Sequence, residues 1–184
     1  INASYMYKNA DNKTFPTLGM SFELKTGWKT NIENSNENHA FITPSFGINY
    51  KLNPKGSIVL ASKLKSNIII GDNFEFYNAA SIGGIDGLRG YRNQRFSGNT
   101  SFYQNSDLRF TLRKVKTELV PLQLGVFTGF DYGRVWLKNE KSNDWKTSYG
   151  GGFWLVAADL VNLNVSLFNS KDGAYLNLGL GFGF

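Results

Sequence analysis

The feature that most constrains this chain is an alternation of apolar and polar residues with period 2, recurring along nearly its whole length. In "TLGMSFELK", Leu18, Met20, Phe22 and Leu24 share one face, and Gly19, Ser21, Glu23 and Lys25 the other. In "FITPSFGINYKL" the apolar face is Ile42, Phe46, Ile48, Tyr50 and Leu52. In the next run it is Ile58, Leu60, Leu64, Ile68 and Ile70. Leu108, Phe110 and Leu112 then oppose Asn105, Asp107, Arg109 and Thr111. Val120, Leu122, Leu124, Val126, Phe130 and Tyr132 oppose Gln123, Gly125, Phe127, Gly129, Asp131 and Gly133. Tyr149, Phe153, Leu155 and Ala157 face away from Ser148, Gly150, Gly152 and Trp154. "NLNVSLF" and "YLNLGLGFGF" complete the set. Side chains repeat at this period only on β-strands, so the pattern predicts eight strands and an all-β fold.

Alternation leaves open which face meets water. A soluble sandwich or barrel hides the apolar face, whereas a transmembrane barrel turns it to lipid. The mean hydropathy of −0.29 does not separate them, because a barrel that is apolar outside and polar inside averages to an ordinary value. The polar face does. It is rich in Gly, Asn, Ser and Thr rather than in the dense Lys and Glu of a solvated surface. Connections alternate between short ones ("NPKG", "DLVN", "SKDG") and long polar ones near 30–39, 72–101 and 137–144. An outer-membrane barrel alternates tight periplasmic turns with long extracellular loops in the same way. Trp28, Tyr50, Trp136 and Trp145, near strand ends, suit interfacial girdles. The reading is a transmembrane antiparallel up-and-down β-barrel, most simply of eight strands. Residues 17–184 form it, and residues 1–16 are a periplasmic lead-in or an extra strand.

Charge and chemistry narrow the function. The net charge of +6 is scattered rather than gathered into a basic run, which argues against nucleic acid. No cysteine is present. The single histidine, His39, lies in a polar stretch that reads as a solvated loop, so no nucleophile and base pair is visible. Asp107 and Asp131 fit an acid/base pair only if arginine neighbours do not keep both ionised. Neither an enzyme nor a cofactor or metal site is expected.

One loop stands out. "GIDGLRGY" (84–91) places Leu88, Arg89, Gly90 and Tyr91 among glycines, between strand-like runs. With "YQNSDLRF" and "GFDYGRVW" after it, it resembles the C-terminal part of the BamA, TamA and FhaC superfamily (Omp-eighty-five, or bacterial surface antigen, family). "DNKTFPTLGMSF" resembles that family's turn into an earlier strand. The resemblance implies that an extracellular loop folds back into the lumen, where its arginine binds carboxylates of the wall. Asp107, Arg109, Asp131 and Gly133 would then be the loop's lumen partners. Asp107, Arg109 and Asp131 all lie on the polar phase, and a bidentate contact from Arg89 to one of the acids is physically reasonable. The inward glycines Gly125, Gly129, Gly133, Gly150, Gly152, Gly179, Gly181 and Gly183 would leave a groove for the loop. "AYLNLGLGFGF" resembles a C-terminal targeting strand, with Leu176, Leu178, Leu180, Phe182 and Phe184 facing lipid.

The family's barrels have sixteen strands and periplasmic POTRA domains. At roughly ten residues per strand, sixteen do not fit here. Either eight strands close, or the chain is half of a barrel that other strands complete. The resemblance implies the bacterial outer membrane and a role in outer-membrane protein assembly or secretion. The alternative is a compact anchor for an N-terminal periplasmic domain, such as a phosphoesterase or lipase. Expected partners are outer-membrane lipid and lipopolysaccharide, the barrel-assembly machinery during biogenesis, and a second copy of the chain or an absent N-terminal domain.

Overall fold

The structure is a computed structural model that describes residues 1–30, 38–71, 76–84, 87–116, 120–138 and 143–182. The alternating runs form long antiparallel strands: β1 (Asn2–Ala10), β2 (Gly19–Thr30), β3 (Asn38–Lys51), β4 (Ile58–Ile70), β7 (Thr100–Lys116), β8 (Pro121–Trp136), β9 (Lys146–Ala157), β10 (Val161–Ser170) and β11 (Gly173–Phe182). Together they make one nine-stranded sheet in chain order. Between β4 and β7 a 3-10 turn (Phe76–Asn78) leads into a small hairpin, β5 (Ala80–Ile82) and β6 (Phe96–Gly98). No helix among the described residues is long and apolar enough to cross a membrane.

The expected closed eight-stranded barrel is not what forms. Asn2–Ala10 adds a ninth strand, paired with β2 from Ala10↔Gly19 to Asn2↔Gly27. The sheet is open, with β1 and β11 as its two edges. The physical reason lies on the inner face. A barrel of eight strands has room only for side chains. Here a folded segment, with Leu88 and Tyr91 fully buried, occupies that face. A sheet wrapped around such a segment has to be wider.

The phase of the sheet is inverted relative to a soluble protein. Leu176, Leu178 and Leu180 are 66%, 65% and 61% exposed, whereas Asp131 is completely buried. Phe153, Val165 and Leu167 continue the exposed apolar face across β9 and β10. Strands β7 and β8 have 17 and 16 residues, more than the roughly 9–11 a tilted strand needs to cross a bilayer. The connections 11–18, 52–57 and 158–160 lie at one rim, here called the turn rim. The end of β4, the start of β7 and the tight turn at 171–172 lie at the other, the loop rim.

His39 is corrected as well. It belongs to β3 and is buried, because the β2–β3 ladder runs on to Thr30↔Asn38 and draws the polar run into the sheet.

Candidate functional site: the arginine clasp

The segment between β4 and β7 carries its own small core. Ile82, Leu88, Tyr91 and Tyr103 are buried together, with Phe96 and Val135 packed against them. A tight turn closes the motif, Tyr91 N donating to the Leu88 carbonyl (3.1 Å), and Gly84 N donates to the same oxygen (3.0 Å). These bonds fix Arg89 at the tip of the turn, directed at the wall formed by β7 and β8.

Arg89 meets two carboxylates. Its Nη1 and Nη2 donate to Asp107 Oδ2 and Oδ1 at 3.1 and 2.7 Å, a bidentate fork. Nε lies 3.1 Å from both oxygens of Asp131, and Nη2 lies 2.5 Å from Asp131 Oδ1. The backbone N of Arg89 also donates to Asp131 Oδ2 (3.0 Å), as does Ser148 Oγ (3.0 Å). A fully buried carboxylate is costly unless its oxygens are filled, and these donors fill them. Arg89 stacks over the ring of Phe168, 4.0 Å from its centroid, so the ring covers one face of the guanidinium.

The neighbouring backbone is clasped too. Ser148 Oγ accepts from Gly90 N (3.2 Å), and Ser170 Oγ donates to the Gly90 carbonyl (2.5 Å). Asn177 Nδ2 donates to the Arg89 carbonyl (3.0 Å), and Asn105 Nδ2 to that of Gly87 (2.7 Å). Tyr91 donates its hydroxyl to the Thr147 carbonyl (3.2 Å). The motif is thus held by β7, β8, β9, β10 and β11. Two glycines make this approach sterically feasible. A Cβ on Gly90 would lie 2.5 Å from Ser148 Cβ, and one on Gly129 would lie 2.5 Å from Asp107 Oδ1 and 2.8 Å from Arg89 Nη2.

Other expected site residues are placed differently. Arg109 does not touch the loop. It sits two residues along β7 from Asp107, nearly 7 Å nearer the turn rim at strand spacing, and bonds Pro16 and Asn49 instead. Its guanidinium is turned toward the turn rim, where the Phe15 ring stacks on it and the Pro16 carbonyl accepts from it. Gly133 lies against Tyr103, which in turn packs on Leu88 and Tyr91. The groove over the inward glycines is filled largely by aromatic side chains, Trp154 over Gly125 and Phe168 over Gly150, rather than by the loop alone. Leu176, Leu178 and Leu180 pair with Leu167, Val165 and Leu163 on the outer face, and Phe182 pairs with Val161. Gly183 and Phe184 lie outside the described residues. Sequence reasoning missed Ser148, Ser170, Asn177 and Phe168. Their inward phase was the available signal, but it is shared by every polar residue of that face.

Residues 1–183 match the model of the Omp85 superfamily domain. Among solved structures, BamA from Haemophilus ducreyi lacking POTRA domains 1–3 matches with a TM-score of 0.72 at 16% identity, over 98% of this chain and 41% of that one. The chain therefore spans well under half the length of that relative. No curated protein matches it in sequence. With the family model covering all but the last residue, the chain belongs to the Omp85 superfamily.

Proposed function

We propose that this chain is one arc of an outer-membrane β-barrel that acts in the assembly or secretion of proteins, with further strands completing the wall. The observation that carries the reading is the open sheet with its lipid-type outer face. In hydrocarbon every backbone N–H and C=O needs an internal partner, so a spanning sheet with two free edges is not viable. Strands beyond β1 and β11 must pair with them, and a wall wider than nine strands has room for the clasped segment inside. Family membership supplies the class of activity. The bacterial outer membrane, contacts with its lipid and lipopolysaccharide, and delivery by the barrel-assembly machinery belong to the same reading. So does the placing of the turn rim in the periplasm and of the loop rim outside. Leu176, Leu178, Leu180, Phe182 and Phe184 are proposed as the strand that machinery reads. We assign no catalytic role, because Asp107 and Asp131 both spend their oxygens on Arg89.

The test is reconstitution. Proteoliposomes carrying the complete protein should speed the insertion of an unfolded client barrel, read by the client's heat-modifiable gel mobility. Insertion no faster than in protein-free liposomes, with the protein itself folded, would overturn the assembly reading and leave secretion or a membrane anchor.

A further inference from the structure

The β1–β2 connection does not lie flat along the turn rim. Asn12 Oδ1 accepts from the backbone N of Thr14 (2.9 Å) and of Phe15 (2.8 Å). Asp11 Oδ1 accepts from the backbone N of Thr17 (2.9 Å) and of Leu18 (3.0 Å). Lys51 approaches the same carboxylate at 3.5 Å. Burial pushes the Asp11 carboxyl up, but the Thr17 and Leu18 bonds and Lys51 outweigh it and hold it at about 2. Bent in this way, the connection carries Phe15 over the inner face of the sheet.

Phe15 is seated there. Its ring lies 4.5 Å from that of Trp154 on β9, and the Arg109 guanidinium stacks 4.2 Å from its centroid. Arg109 Nη2 donates to the Pro16 carbonyl (2.5 Å) and to Asn49 Oδ1 (2.7 Å). Thr14 Oγ1 donates to the Asp159 carbonyl, between β9 and β10, at 2.5 Å. A connection between the first two strands is therefore fastened to β3, β7, β9 and the β9–β10 turn, across most of the sheet's width. Behind it is a cavity of about 250 Å³, lined among others by Phe15, Ala61, Arg89, Asp107 and Asn164. Arg109 is only 9% exposed, and its Nε has no hydrogen-bond partner among the described residues; neither has Asn162 Oδ1 on the same cavity. The chamber is polar, and it connects the clasp with the seat of Phe15.

We propose that residues 11–18 are a stopper for the turn-side mouth, seated through Phe15 between Arg109 and Trp154, whose release joins the polar chamber beneath Arg89 to the compartment on that side. This goes beyond a role in assembly or secretion and does not depend on it. Release is locally feasible. The connection is held by side-chain contacts and by one backbone bond between its own ends, Asp11 N to the Leu18 carbonyl. Segments held in this way open well below the free energy of global unfolding.

These 184 residues contain no cysteine, and any cysteine elsewhere in the complete protein is first replaced by serine. A single reporter, Ala61→Cys, is placed in the complete membrane-inserted protein, and a membrane-impermeant thiol reagent is added from the turn side. With Phe15 present the reporter should react slowly, well below an exposed Lys55→Cys control. Phe15→Ala should raise the rate about tenfold by populating the open state, and Phe15→Tyr should keep it slow. Phe15→Leu should fall between them, and it carries the test if the alanine variant does not insert. A rate unchanged by Phe15→Ala and Phe15→Leu, or a starting rate equal to that of the control, would overturn the stopper. Equal acceleration from the loop side would also overturn it, since that would be general loosening.

Discussion

Arg89→Ala should cost the folded barrel about 3–5 kcal/mol, the loss typical of breaking a buried ion pair from one side. The size follows from what is left behind. Asp131 is fully buried, and three of its four donor contacts with atoms of Arg89 come from the side chain, which alanine removes while the backbone N–H stays. Asp107 loses its fork at the same time. The measurement is the denaturant or heat midpoint at which the folded gel mobility is lost. Arg89→Lys should lose less than alanine but still lose clearly, because an ammonium keeps the charge and cannot fork to two carboxylates. A change within about 0.5 kcal/mol, as for an ordinary surface substitution, would remove the clasp from the account of stability.

Leu178→Arg should be nearly as damaging, for the opposite reason. Leu178 is 65% exposed near the middle of β11, beside Val165 of β10. In a soluble protein an arginine there would be close to neutral. On the lipid face of a barrel it costs about 2–4 kcal/mol near the bilayer midplane. Ser45→Arg, on the inner face of β3 beside a cavity, should cost much less in the membrane, because lumen positions tolerate polar side chains. Unfolding in lipid vesicles compares the two. Equal tolerance of Leu178→Arg and Ser45→Arg would mean that the exposed leucines do not meet lipid.

Phase was legible in the sequence because it is a local property. Counting alternate residues puts Leu108 outside and Asp107 inside without knowledge of the partner strand, and the sheet keeps that phase through the Leu108↔Leu60 and Asp107↔Ala61 pairs. The number of strands was less legible. In Asn2–Ala10, Met6 lies on the same face as Lys8, and both lie opposite polar partners, Glu23 and Ser21. A strand whose polar face carries a methionine gives a weak alternation, which does not by itself separate an extra strand from a periplasmic lead-in. Closure is a global property that no local period encodes. It depended on how much material fills the inner face, and the clasped segment filled it. Arg109 illustrates a third limit. Its inward phase was visible, but its partners come from Asn49 and from a connection 93 residues away. Turns have no period, so nothing local marked Phe15 as the ring that Arg109 covers. The polar clasp residues Ser148, Ser170 and Asn177 were hidden in plain alternation, because strand order and register alone bring them to one loop tip.

Arg89 and Asp131 carry the central claim, that a loop motif is locked by charge into the inner wall of the sheet. A double-mutant cycle tests it most directly: Arg89→Ala, Asp131→Ala and the pair together, each measured as free energy of unfolding in the same membrane mimetic. A direct buried contact predicts strong non-additivity, with a coupling of about 1–3 kcal/mol. The double variant should then lose less than the sum of the two single losses by that amount. Losses that add within about 0.5 kcal/mol, the behaviour of residues that share no contact, would contradict the account and return Arg89 to an ordinary loop.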